Sequence, residues 1–169
     1  MTAAAMATAV PRRGVRAAVF GVAAAVAAAD LLIKQAAARA LPGRGTVDLA
    51  GPVDLRLLFN PGAAFGLGAA LPPAAVVAAT ALVVVGLIFY AWRAVPTAGR
   101  AVRTGLAVVL GGAIGNVVDR GLDGAVTDYL HTGWWPTFNL ADVAIVTGVG
   151  LLLLGIFRQP PDTGADTTS

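Results

Sequence analysis

FNLADVAIVTGVGLLLLGIF, residues 138–157, sets a carboxylate, Asp142, at the head of a segment apolar enough to be buried in lipid. In a soluble domain Asn139 followed three residues later by Asp142 reads as a helix N-cap, a variant of the capping box. The residues after it form a run long enough to cross a bilayer, which takes about 20 mostly apolar residues. A cap accounts for the position of Asp142, and the rest of the chain must say whether it accounts for its company.

The composition agrees with lipid as the solvent. Hydrophobic residues make up 57% of the 169 and charged residues 12%, against about 25% charged in a soluble domain; the mean hydropathy is +0.79. This length holds one domain. The net charge of +3 comes from scattered basic residues with few aromatics among them, which argues against a nucleic-acid partner. The absence of Cys excludes disulfides, thiolate metal sites and a cysteine nucleophile. The sequence has no Glu, so carboxylate chemistry must come from its nine Asp.

Working outward, four stretches have spanning length: 15–38, 72–92, 102–118 and 138–157. The expected fold is an all-α membrane protein, one four-helix domain over 1–158, with a polar, disordered cytoplasmic tail at 159–169. The Gly- and Pro-rich segment 41–71 is expected outside the cytoplasm. Within it, PVDLRLLF (52–59) puts Val53, Leu55, Leu57 and Phe59 on one face at period two, a short strand signal. Residues 11–30 also resemble a cleaved secretory signal ending at Ala29, but the stretch reaches spanning length only when counted on through LLIKQAAARAL.

Orientation follows from the positive-inside rule. Arg12, Arg13, Arg16, Arg93, Arg100, Arg103 and Arg158 flank the spans on one side, and Asp48, Asp54, Asp119, Asp123 and Asp128 offset the basic residues on the other. Both termini are therefore expected in the cytoplasm. That places Asp30 and Lys34, then Asn116, Asp119 and Arg120, then Asn139 and Asp142, at outward helix ends at one depth; Asn60 and Asp128 join from the connecting segments.

Singly, these groups have bland explanations. Asp30 and Lys34 are an i,i+4 pair, GGAIG (111–115) reads as close helix packing, and Asp119 can neutralise Arg120. In NPGAAFG (60–66), Pro and Gly shape a turn and Phe65 dips into the membrane edge. His131 is expected in a surface loop, with no second imidazole or Glu to build a metal site. Their convergence is not bland. Asp128 and Asp142 flank thirteen residues that can hairpin back, and paired carboxylates without a metal point to aspartic catalysis, in which two close carboxyl groups share one proton. Asp119 competes with Asp128 for the second position; the guanidinium beside Asp119 favours Asp128. Because Asp142 sits in a first helical turn, where the dipole favours negative charge, and Asp128 is read in a loop, the proton is expected mainly on Asp128. Two rivals, a proton-coupled transporter and a structural partner, fit less well: the middles of spans two and four carry no ionisable group, no internal repeat is visible, and a structural role needs no convergence.

DLLIK (30–34), FNPGAAFG (59–66), GGAIGNVVDRG (111–121), AVTDYLH (125–131) and FNLADVAI (138–145), in this order across four spans, resemble lipoprotein signal peptidase, the type II signal peptidase of bacteria. The resemblance covers residues 30–145. It implies an intramembrane aspartic endopeptidase of the bacterial cell membrane that removes the signal peptide from prolipoproteins, cutting before a diacylglyceryl-modified cysteine. By motif, Asp128 and Asp142 become catalytic, while Asn60, Asn116, Arg120 and Asn139 orient the pair and the substrate. Asp30, Gly62, Phe65 and Asp119 become structural support. The strand at 52–59 becomes part of a small extracytoplasmic β-cradle. No cofactor or metal is implied; the partners are lipid and the lipidated substrate, and a monomer is expected. Two features depart from the family pattern: Tyr129 stands where Phe is commoner, and the segment between Asp128 and Asp142 is short.

Overall fold

The computed structural model describes residues 12–62 and 72–158. Its order is α1 (Arg12–Ala40), β1 (Thr46–Val47), β2 (Asp54–Asn60), α2 (Pro73–Ala94), α3 (Arg100–Asp123), β3 (Val126–His131) and α4 (Leu140–Phe157). All four helices are long and apolar enough to cross a membrane, so the chain is a multi-pass membrane protein. Phe65 and the tail at 159–169 lie outside the described residues.

Small residues set the packing, as expected where lipid gives helices no hydrophobic reason to associate. α3 lies between α1 and α4, and its glycines face both ways. A Cβ on Gly111 would meet Ala23 O at 2.7 Å, one on Gly112 would meet Ala141 O at 2.5 Å, and one on Gly115 would meet Asp30 Oδ2 at 2.6 Å. The Gly-rich run is therefore a packing device on two sides. Its last glycine also makes room for a carboxylate. Val19, Ala23, Ala91, Val95, Leu106, Ala107 and Leu110 form the core away from the polar end. α3 stops where Gly124 adopts a left-handed conformation, φ 74°, and donates its N–H to Arg120 O at 2.9 Å.

The three strands form an antiparallel sheet in the order β1-β2-β3. Leu55 and Leu57 face a second cluster with Ala37, Leu41 and Tyr129. The period-two reading fails at its end: an irregularity between Leu55 and Leu58 shifts the register, and Phe59 is 52% exposed. β3 replaces the loop expected around Asp128. It pairs with β2 through Leu58↔Asp128 and Asn60↔Val126, so Asp128 sits on a hydrogen-bonded ladder. His131 is the last residue of that strand, within reach of Thr137, and not in a surface loop.

Candidate active site

The N-terminus of α4 is the organising feature. A helix leaves its first N–H groups without intrahelical partners, and here three side chains, from β3, from α1 and from the helix's own N-cap, take three successive ones. Leu140 N–H donates to Tyr129 Oη of β3 at 3.2 Å, Ala141 N–H to Asp30 Oδ1 of α1 at 2.9 Å, and Asp142 N–H to Asn139 Oδ1 at 3.0 Å. Asp142 Oδ2 returns the bond by accepting Asn139 N–H at 3.2 Å, completing the capping box. Tyr129 thus uses the hydroxyl that a Phe would lack, and burial pushes that hydroxyl up to about 12, which keeps it protonated.

Asp128 enters from β3, 1% exposed. Its carboxyl is gripped from both sides: Asn60 Nδ2 donates to Oδ2 at 3.1 Å and Asn139 Nδ2 to Oδ1 at 2.7 Å. Asn60 is itself oriented by a turn in which Gly62, at φ 103°, donates its N–H to Asn60 Oδ1 at 3.0 Å. Asp142 is reached from α3, where Asn116 Nδ2 donates to its Oδ1 at 2.9 Å. Asn139 also donates to Asn116 Oδ1 at 3.2 Å. Asn139 therefore touches Asp128, Asp142 and Asn116 at once. Burial raises the Asp128 carboxyl from 3.8 to about 6; its two amide donors oppose the rise and the Asp142 charge adds to it.

Asp119 takes a different place from the one expected. Among the described residues it forms no ion pair with Arg120; its Oδ2 accepts Thr127 N–H at 2.7 Å and lies 3.4 Å from Lys34 Nζ. The reason is helical geometry: neighbours one residue apart point away from each other. Asp119 turns inward to anchor β3, while Arg120 Nε is buried without a hydrogen-bond partner among the described residues. Lys34 was legible only as half of a local pair. It is 2% exposed and meets Asn116 Oδ1 at 2.6 Å as well as Asp30 Oδ2 at 2.8 Å. No group of three or more metal-ligating side chains occurs among the described residues.

A family model described as signal peptidase (SPase) II matches residues 22–158. The chain is 40% identical over 156 residues to a lipoprotein signal peptidase of Rhodococcus jostii (strain RHA1), covering 85% of this chain and 74% of that one. It is 43% identical over 114 residues to a lipoprotein signal peptidase of Syntrophomonas wolfei, covering 68% and 74%. Two solved bacterial membrane enzymes share the fold. One has a TM-score of 0.71 at 22% identity, covering 85% of this chain and 94% of that one; the other has 0.73 at 19%, covering 90% and 94%. With most of its length inside the match and relatives at this identity, the chain belongs to the signal peptidase II family of bacterial proteases.

Proposed function

We propose that the protein is an intramembrane aspartic endopeptidase that frees prolipoproteins of their signal peptide by cutting before a diacylglyceryl-modified cysteine. The observation that carries this reading is the arrangement around Asn139, whose side chain and backbone bind both Asp128 and Asp142. Two carboxyl groups held by one residue, one of them with its titration moved up to about 6, can divide the work of hydrolysis.

In this mechanism Asp142 is ionised and Asp128 protonated. The Asn116 amide and the first turn of α4 both favour negative charge on Asp142. A water between them gives a proton to Asp142 as its oxygen attacks the scissile carbonyl carbon. Asp128 donates its proton to the carbonyl oxygen, giving a neutral tetrahedral diol. Collapse breaks the C–N bond: Asp142 returns its proton to the leaving amine, Asp128 takes one back from a diol hydroxyl, and the pair is regenerated. Arg120, whose Nε is buried without a hydrogen-bond partner among the described residues, takes the role of binding a substrate carbonyl in this reading. The arginines at 12, 13, 16, 93, 100, 103 and 158 all lie at the helix ends away from this cluster, which supports cytoplasmic termini and a site on the outer side. Residues 1–158 act as one peptidase domain in this reading.

The test is cleavage of a diacylglyceryl-modified prolipoprotein by the purified protein in detergent, repeated with Asp128→Asn and Asp142→Asn. Loss of about 10³-fold or more in either variant is expected, with the double variant little worse than the singles because the pair acts as a unit. Activity surviving both substitutions would end the aspartic reading. The pH dependence adds a second check. The folded value of Asp128 is raised above its unfolded 3.8 to about 6, so its contribution to stability is full below about 4 and is lost as pH rises through about 6. Its proton-donating role fades over the same upper range. Unfolding followed from pH 4 to 7 is expected to show a steeper slope in the parent than in Asp128→Asn.

A further inference from the structure

Lys34 is a buried cation that aspartic chemistry leaves without a task. A charged group held away from water costs several kcal/mol unless it is paired. A single carboxylate would neutralise it, yet Lys34 Nζ meets three oxygens: Asn116 Oδ1 at 2.6 Å, Asp30 Oδ2 at 2.8 Å and Asp119 Oδ2 at 3.4 Å. Each of the three partners leads to the dyad. The other end of Asn116 donates to Asp142 Oδ1. The other oxygen of Asp30 holds the N–H of Ala141, one residue before Asp142. Asp119 holds the N–H of Thr127, one residue before Asp128.

The Asn116 arm carries chemical information. An ammonium has donors only, so the amide atom facing Lys34 must be the oxygen. That choice turns the NH2 group of Asn116 toward Asp142, where a donor favours the ionised carboxylate. A reversed amide would set an oxygen against a carboxylate oxygen. Asn139 also donates to Asn116 Oδ1, but at 3.2 Å and without charge; the contact from Lys34 is shorter and charge-assisted.

We propose that Lys34 is a positioning residue of the dyad: it fixes the orientation of the Asn116 amide so that Asp142 remains the ionised member, while Asp30 and Asp119 tie α4 and β3 to the same cation. The proposal rests on the reading of Asp128 and Asp142 as the catalytic pair. The charged and titratable groups in its field are Asp30 on its own helix, Asp119 on α3, Asp142 on α4 through Asn116, and Asp128 on β3.

The alternative is that Lys34 only balances Asp30 and Asp119. Lys34→Met alone would leave two buried carboxylates opposed by nothing, so the comparison is made in the background of Asp119→Asn, whose amide oxygen can still accept Thr127 N–H. The chain carrying both substitutions keeps the parent's local net charge, with Asp30 the one charge left. Relative to both the parent, whose local charge it keeps, and Asp119→Asn, it is expected to lose about 10²-fold in kcat, the worth of one misplaced donor, with KM within about two-fold. The acidic limb of its kcat–pH profile is expected to move to higher pH. An unchanged kcat and limb, or a loss confined to KM, would overturn the proposal. Asn116→Asp gives an independent decision if the doubly substituted chain does not fold. It preserves an acceptor for Lys34 but turns an oxygen toward Asp142, and a limb that stays in place would count against the inference. Full cleavage by Asp142→Asn would instead remove the dyad reading itself, and the proposal with it.

Discussion

α2 and α3 both qualify as membrane spans, and they live in different solvents. The spanning window of α2 is the most apolar of the four, yet only 11% of it is buried within the protein; that of α3 is the least apolar, and 44% of it is buried. Along α2, Leu82, Val83, Val85 and Phe89 are exposed to the surroundings of the bundle. Along α3, Gly105, Leu106, Ala107, Val109, Leu110, Gly111 and Gly112 are buried. In water the most apolar element is the natural centre of a fold. Here lipid takes that role for α2, and the centre goes to the helix whose glycines let neighbours approach and whose last turns can carry polar side chains. Hydropathy locates the spans; small residues and out-of-place polar residues locate the interior.

The largest break in this comparison should come from the polar end of α3. Asn116→Leu fills the same space and removes the amide that links Lys34 to Asp142. A loss of about 10²–10³-fold in kcat is expected, the usual worth of one preorganised donor at a reacting group. Leu at any exposed α2 position should leave kcat unchanged. Single-turnover cleavage of the lipidated substrate measures both, and an Asn116→Leu enzyme within a few-fold of the parent would remove the Asn116 link from the chemistry.

That end of α3 also shows what could be read before the fold was known. Asn139 and Asp142 are three residues apart, so their capping box was visible as a local pattern, and the structure contains it. Asp30 and Lys34 were equally visible as a pair, but the third contact of Lys34 is with Asn116, 82 residues away, and nothing local encodes it. Adjacency in sequence suggests that Asp119 neutralises Arg120, but residues one apart on a helix do not face each other in space. The sequence signal for β3 is the β-branched and aromatic composition of Val126-Thr127-Asp128-Tyr129-Leu130, which a loop around Asp128 does not explain. The convergence of Asn60, Asn116, Asp128, Asn139 and Asp142 was legible because topology alone brings outward helix ends to one depth. Which amide donates to which carboxyl was not, since a rotamer depends on contacts from every side.

Packing gives the next largest effect. A methyl group on Gly112 would stand 2.5 Å from Ala141 O and 3.0 Å from Ile145 Cγ1, and a backbone oxygen cannot step aside as a flexible side chain could. Gly112→Ala is expected to push α4 away from α3 at a cost of about 1–3 kcal/mol. Because Ala141 precedes Asp142, activity should fall along with stability. Thermal unfolding in detergent, read beside kcat, would show the two losses together. Unchanged stability would mean that the helices separate here freely, and that the buried share of α3 overstates how tightly it is held.

Gly86 in α2 offers the opposite expectation, and the smallest effect. Among the described residues, no atom beyond its chain neighbours and its own helix backbone lies within 4 Å of the Cβ it would acquire, its neighbours Val85 and Leu87 stay in helix, and its surroundings are lipid. Glycine in a helix interior costs about 0.5–1 kcal/mol relative to alanine, because it loses more backbone freedom on ordering. Within a membrane the helix is formed before it packs, so much of that advantage is already spent, and Gly86→Ala should be neutral or stabilise by a few tenths of a kcal/mol. The same substitution at two glycines, 86 and 112, thus differs in sign because of what stands opposite. A clear destabilisation by Gly86→Ala would show that α2 has a close protein neighbour on that face, and its lipid-facing role would have to be given up.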